Sequence, residues 1–265
     1  MENILKEMRR SLNLRIVRKE KLVRLKAELA AKSQSARDLR FIKNIAPEFR
    51  APFLDYLDLS QSQIRQDLFV LSELCFKKNG YFVEFGATDG VGLSNTYLLE
   101  SEFGWDGILA EPARAWHKAL RENRKANIET RCVWKQSGEK IIFNEAEILE
   151  FSTVNDFSAS DFHNKKRRNG HRYEVETISL NDLLEKYQAP SLIDYLSIDT
   201  EGSEYDILKE HDFSRHKFRI ITCEHNYTPM RDKIYELLMA KGYVRKFEDI
   251  SEVDDWYVLR QMESA

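Results

Sequence analysis

The stretch Gly80-Tyr81-Phe82-Val83-Glu84-Phe85-Gly86-Ala87-Thr88-Asp89-Gly90-Val91-Gly92 constrains this chain more than any other. Five mostly apolar, β-forming residues run without a break into a turn with three glycines, and Leu98 and Leu99 continue at helical spacing. A strand, a glycine-rich turn and a helix in that order open a βαβ unit, and such units build parallel sheets covered by helices. The alternation recurs beyond residue 50. Strands are expected near Tyr81–Phe85, Gly107–Glu111, Thr130–Trp134, Ile193–Ile198 and Arg219–Cys223. Ser179 and Asp182 mark a helix start, Thr228-Pro229 another, and Gly242 its stop. Tyr243–Phe247 and Trp256–Leu259 read as a closing antiparallel hairpin. The expectation is one mainly parallel twisted sheet sandwiched by helices, an α/β fold of Rossmann-like type.

Charge divides the chain near residue 50. Residues 1–50 hold 14 Lys/Arg against 6 Asp/Glu, and the remainder holds 27 against 38. The expected organisation is a basic helical extension over 1–50 and a catalytic domain over 51–265. In the extension, Leu5, Met8, Leu12 and Ile16, then Leu22, Leu25 and Leu29, recur at three- and four-residue steps, an amphipathic pattern. Such a face packs on the body, pairs in a homo-oligomer or meets a protein partner; RNA and anionic membrane are the alternatives. With a net charge of −3, global attraction to nucleic acid is disfavoured. Cys75, Cys132 and Cys223 form no CxxC pair, which points to a reducing compartment. No apolar run reaches the ~20 residues of a membrane span, and the charged first twenty residues do not read as a secretory or mitochondrial leader. A cytoplasmic location is expected.

Spacing narrows the cofactor. The dinucleotide fingerprint G-x-G-x-x-G is not met, since Thr88 fills its second glycine position, and the Walker pattern is absent. The turn is E-x-G-x-x-x-G, with Glu84 already inside the strand. A carboxylate there repels a pyrophosphate but suits the cationic amino-acid end of S-adenosylmethionine. Glu111, 27 residues beyond Glu84, ends the next strand, where an acid accepts hydrogen bonds from both ribose hydroxyls.

A second set of acids follows later strands. Asp199, Glu201 and Glu204 come after Tyr195–Ile198, and Glu224-His225-Asn226 after Arg219–Cys223. Both strand ends face the carboxyl edge of the sheet. Two mechanisms fit: His225 accepts a proton from the methyl acceptor, or Asp199, Glu224 and His225 hold Mg²⁺ or Mn²⁺ to acidify its hydroxyl. Glu204 opens a helix and needs only the dipole to explain it. On the substrate side, the stretch from Asn155 to Tyr173 lacks apolar periodicity and carries Lys165, Lys166, Arg167 and Arg168, cations that suit a phosphate or sugar nucleotide as well as a solvated tip. Lys165, Arg167, Glu201 and Tyr227 are the expected acceptor contacts.

The strings YFVEFGATDGVGLSNT, GWDGILAEP and DYLSIDTEGSEYDIL, in that order, resemble the FkbM-type family of S-adenosylmethionine-dependent methyltransferases. The likeness extends upstream to Ser62-Gln63 and Gln66-Asp67 and downstream to Asp255-Trp256-Tyr257. It implies methyl transfer to hydroxyl oxygens of sugars and natural products, with cofactor contacts at Glu84, Gly86, Asp89, Asn95 and Glu111 and, beside the adenine, near Ser137. The placement of acids after successive strands also resembles metal-dependent catechol and sugar O-methyltransferases. The resemblance leaves 1–50 outside. Two other readings stay open: an RNA or protein methyltransferase gripping a polymer with its basic head and residues 165–168, and a cofactor-binding module without turnover.

Overall fold

The computed structural model describes residues 21–22, 24–25, 28–29, 31–158 and 164–260. The chain forms two compact units, residues 1–50 and 51–265. In the first, the described residues between 21 and 44 are helical. Leu22, Leu25 and Leu29 are exposed, whereas Phe41 and Ile45 are buried. Leu5, Met8, Leu12 and Ile16 lie outside the described residues. Among the described residues no helix is long and apolar enough to cross a membrane.

The strands of the second unit are, in chain order, β1 (Tyr81–Phe85), β2 (Asp106–Ala110), β3 (Asn127–Glu129), β4 (Cys132–Trp134), β5 (Lys140–Glu145), β6 (Thr153–Val154), β7 (His171–Ser179), β8 (Leu192–Ile198), β9 (Lys217–Glu224), β10 (Tyr243–Lys246) and β11 (Asp254–Leu259). Seven of them form the main sheet, ordered β10-β11-β9-β8-β1-β2-β3. The pairs β1–β2, β1–β8, β2–β3 and β8–β9 are parallel, and β11 runs antiparallel to both β9 and β10. Val83 stands level with Ile108 and Leu196, and Leu196 with Ile221. All four are fully buried, so one layer of aliphatic side chains binds the central strands to the covering helices. The succession reverses direction between β1 and β8, the point where open α/β sheets leave a crevice for ligands.

The register decides what reaches that crevice. Phe85 pairs with both Ala110 and Ile198, Ile198 with Cys223, and Glu224 with Asp254. The residues just beyond, Gly86, Glu111 and Asp199, therefore stand along one edge with Glu224 and Asp254.

One part of the expected architecture is corrected. The body holds a second, four-stranded sheet, ordered β4-β7-β5-β6, so Cys132–Trp134 belongs there and the main sheet ends instead at β3. The antiparallel β5–β7 pair runs from Lys140↔Glu176 to Glu145↔His171 with one face toward solvent, so its polar residues break the apolar run that marks a buried strand. The stretch from Asn155 to Tyr173 carries short 3-10 turns at Asn155–Phe157 and Asn164–Arg167 before β7 begins.

Helix signals fare better. Ser179 Oγ accepts the Asp182 N–H at 3.1 Å and caps Leu180–Lys186. The helix after Thr228-Pro229 spans Met230–Ala240, with Pro229 itself at the cap, and Gly242 follows it with φ +92°.

Candidate active site

A cavity of about 350 Å³ opens at the carboxyl ends of β1, β2, β8 and β9, within the size range of small-ligand sites. Helix Gln66–Glu73 contributes Gln66, β11 contributes Asp254, and the segment Leu149–Ser152 and Val154 form a wall.

At one end, Glu84 is buried and its carboxylate is engaged by the protein: Ser94 Oγ and Asn95 N–H donate to it, as does Thr96 Oγ1, and Arg124 lies 3.8 Å away. Burial raises its pKa, opposed by Arg124 and those donors. Asn95 Nδ2 donates to Ser197 Oγ at 2.9 Å, while its buried Oδ1 has no partner among the described residues and the residue lines the cavity. An orphaned buried acceptor costs free energy until a donor arrives.

Glu111 stands one residue beyond β2. Its two oxygens accept the Thr88 N–H at 2.8 Å and the Ala113 N–H at 2.7 Å, and His117 Nε2 bonds its backbone carbonyl at 2.8 Å. Each carboxylate oxygen keeps acceptor capacity, so the fixed group can take two hydroxyls of a diol. Burial pushes its pKa up to about 7. Beside it, Pro112, Cys132, Val133, Phe143 and Val154 make an apolar stretch of lining suited to a flat heteroaromatic ring. The Cys132 thiol stays protonated, pushed up to about 12 by burial.

The other end is acidic. Ligand oxygens of Asp199, Glu201 and Glu224 all lie within 4.8 Å of one another. A hydrogen bond joins the Glu224 and Asp199 side chains. Burial raises Asp199 to about 6 against the lowering effect of that bond, and burial together with the charge of Asp199 drives Glu224 well above the carboxylate range. Asn226 Nδ2 bridges Glu224 at 2.7 Å and Glu201 at 3.2 Å. Asp254 accepts from Gln66 Nε2 at 2.8 Å and is pushed up to about 7 by burial. Glu204 faces its own loop, accepting from the Thr200 and Gly202 N–H groups.

Sequence expectations divide accordingly. Glu84, Gly86, Asn95, Glu111, Asp199, Glu201 and Glu224 line the cavity. His225 does not join them, which corrects its place in the ligand set: its Nδ1 accepts the Tyr227 N–H at 3.0 Å and its Nε2 lies 3.7 Å from Asp255, away from the cavity. Side chains alternate along an extended segment, so the neighbour of an inward Glu224 turns outward. Asn226, at φ +43°, bends back to occupy the position assigned to His225. Tyr227 is 63% exposed and outside the lining. Asp89 accepts the Val91 and Gly92 N–H groups and shapes its own turn. Ser137 is exposed and holds the Ser179 N–H and the Asp182 carboxylate, outside the adenine-type surface, which Cys132 and Val133 supply instead. Lys165 is exposed, and Arg167 is fully buried with Nη2 2.7 Å from Glu201. No local pattern marks Asn226 or Asp254 as site residues. Gln66 stands within the S-Q-x-x-Q-D string, a usable signal.

The Methyltransferase FkbM domain matches residues 84–257. No curated protein matches the sequence. Among solved structures, the chain is similar to Methyltransferase FkbM from Methylobacillus flagellatus KT, at 12% identity and TM-score 0.47, covering 85% of this chain and 59% of that one. It is similar to precorrin-6y C5,15-methyltransferase from Geobacter metallireducens GS-15, at 13% identity and TM-score 0.37, over 72% of this chain and 85% of that one. A human methyltransferase 10 domain containing protein aligns at 13% identity and TM-score 0.38, over 74% of this chain and 81% of that one. The chain thus spans less than two thirds of the length of the first.

Proposed function

The chain belongs to the FkbM methyltransferase family, and on that premise we propose that it transfers the methyl group of S-adenosylmethionine to a hydroxyl oxygen of a carbohydrate or similar polar metabolite. The observation that carries this reading is one cavity with Glu111 on one side and the Asp199–Glu201–Glu224 cluster on the other. A diol-binding carboxylate and a proton-accepting cluster then face the same enclosed volume.

In this reading Glu111 receives the ribose hydroxyls, the apolar stretch from Cys132 to Val154 takes the adenine, and the unpaired Asn95 Oδ1 accepts from the ammonium end. The surplus of carboxylates attracts a cationic cofactor. S-adenosylmethionine supplies an electrophilic methyl group on a sulfonium, so the protein must orient the acceptor and remove its proton. Asp199, raised to about 6, is a stronger base than an ordinary carboxylate and remains ionised at neutral pH. Asn226 fixes Glu224 and Glu201 beside it. With His225 turned away from the cavity, the base role falls to Asp199 in this reading.

The all-oxygen donor set of Asp199, Glu201 and Glu224 fits a hard divalent cation. Mg²⁺ or Mn²⁺ held by Asp199, Glu201 and Glu224 would lower the pKa of an alcohol ligand. Calorimetry with S-adenosylhomocysteine, followed by transfer of labelled methyl to a panel of sugars with and without EDTA, tests the whole reading. Cofactor heat and labelled sugar support it; cofactor binding with no transfer to any hydroxyl acceptor overturns it in favour of a polymer acceptor or a module without turnover.

A further inference from the structure

The basic run from Lys165 to Arg168 is divided by the fold into one inward and three outward cations. Arg167 is fully buried: its Nε donates to Phe151 O at 2.7 Å, its Nη1 to Phe157 O at 3.5 Å, and its Nη2 pairs with Glu201 at 2.7 Å. Phe151 and Glu201 both line the cavity, so this guanidinium fastens the 3-10 turn Asn164–Arg167 to the cavity wall. That wall is itself tied to the loop after β8, since Thr153 Oγ1 donates to Thr200 O at 3.2 Å, and a Cβ on Gly202 would meet Phe157 at 2.9 Å. Lys166 Nζ lies 3.5 Å from the ring centroid of Phe151, a residue of the cavity wall. Lys165, Lys166 and Arg168 are exposed. Among the described residues none of the three makes an ion pair with a carboxylate, although the chain beyond residue 50 carries 38 acids against 27 Lys/Arg.

Lys166 thus stands against a residue of the acidic cavity's wall, with Lys165 and Arg168 beside it in the chain, an arrangement that orients a ligand of mixed character. We infer that Lys165, Lys166 and Arg168 bind a phosphate group of the acceptor at the cavity rim, making the substrate a phosphorylated carbohydrate whose free hydroxyl points inward to Asp199. This rests on the methyltransferase reading and names its substrate class. Phosphate accepts charge-assisted hydrogen bonds from several ammonium and guanidinium groups at once. A neutral sugar offers these cations no counter-charge. A polynucleotide would need a longer basic track, and the acidic body repels its remaining phosphates.

The test titrates glucose 1-phosphate, UDP-glucose, glucose and a single-stranded RNA decamer into the full chain loaded with S-adenosylhomocysteine. The phosphorylated sugars should bind at least tenfold more tightly than glucose, and the more tightly bound of the two identifies a sugar phosphate or a sugar nucleotide as the source. Combined Lys165→Ala, Lys166→Ala and Arg168→Ala should lower that affinity at least tenfold while cofactor affinity and melting temperature stay unchanged. Equal affinity for glucose and its phosphate, no loss in the triple variant, or tighter binding of RNA overturns the inference. Absence of cofactor heat in the unsubstituted protein sinks the methyltransferase reading instead, and the same titrations on the unloaded chain then judge the rim alone.

Discussion

Gly86 shows how one residue without a side chain aligns two strand ends. Its φ is +74°, and an added Cβ would sit 2.2 Å from the carbonyl oxygen of Asp199. The sequence marks this glycine as room for a ligand, but it also makes room for the neighbouring strand. Gly86→Ala should destabilise the protein by about 3 kcal/mol in urea unfolding, from backbone strain combined with a clash that nothing flexible relieves. At Glu111 and Asp199 the expected effects separate. Glu111→Ala should raise the dissociation constant for S-adenosylhomocysteine at least tenfold by calorimetry, while Asp199→Ala should leave it within threefold and abolish methyl transfer. Because burial brings Glu111 to about 7, its ionised acceptor form prevails above that pH. Cofactor affinity should therefore weaken as pH falls from 8 to 6, and Glu111→Gln, with no charge to lose, should flatten that profile. Glu111 is legible because an acid ending the strand after a glycine turn has a fixed place in βαβ geometry. Asn226 is not legible, since its inward direction depends on a left-handed bend that no residue pattern around it announces.

At the scale of elements, the glycine turn is held by Arg124, which follows helix His117–Asn123. Its side chain is fully buried and pairs with Glu100 at 2.9 Å, while Nη1 donates to Gly90 O and Ser94 Oγ and Nη2 to Thr96 Oγ1. The turn, helix Tyr97–Phe103 and the helix before Arg124 are thus joined through one cation that also faces Glu84. Arg124→Met should cost about 3–5 kcal/mol, read from urea unfolding, because it leaves a buried carboxylate without its counter-charge. Adding Glu84→Gln to that variant should restore part of the loss. The four-stranded sheet is the element least legible in the sequence. Its β5–β7 ladder joins Lys140 to Glu176 and Glu145 to His171 across a long intervening segment, and no turn signal between the two strands announces a pairing over such a separation.

For the whole molecule, the fold buries acids against their charge, several of them in the site. Asp67 and Asp199 are raised to about 6 and Glu111 and Asp254 to about 7, each chiefly by burial. A carboxyl group whose folded pKa exceeds its unfolded value binds protons more tightly when folded. Its stabilising contribution is complete below about pH 4 and is lost as pH rises through 6 to 7. The histidines pull the other way: burial lowers His117, His211, His216 and His225, so their contribution is present above about pH 6.5 and is lost as pH falls. A variant that keeps all four histidines isolates the carboxyl part. Asp254→Asn should gain about 1 kcal/mol of stability relative to the native chain between pH 6 and pH 8 in paired urea titrations, since only the native chain carries a proton there to lose. A difference between the two chains that stays constant over that interval would contradict the raised pKa of Asp254.

The sequence by itself determined the alternation of strands and helices, the Ser179 cap, the closing hairpin and the two rows of acids after strand ends. These are local properties: a side chain's period and a cap's partner lie within a few residues, so they survive in one dimension. Only the tertiary structure decided which of those acids face one another, that Arg167 turns inward among cations that turn outward, and that His225 yields its place to Asn226. Those outcomes depend on strand register and on where the second sheet's segments meet the crevice, and a shift of one residue in a strand reverses every side chain.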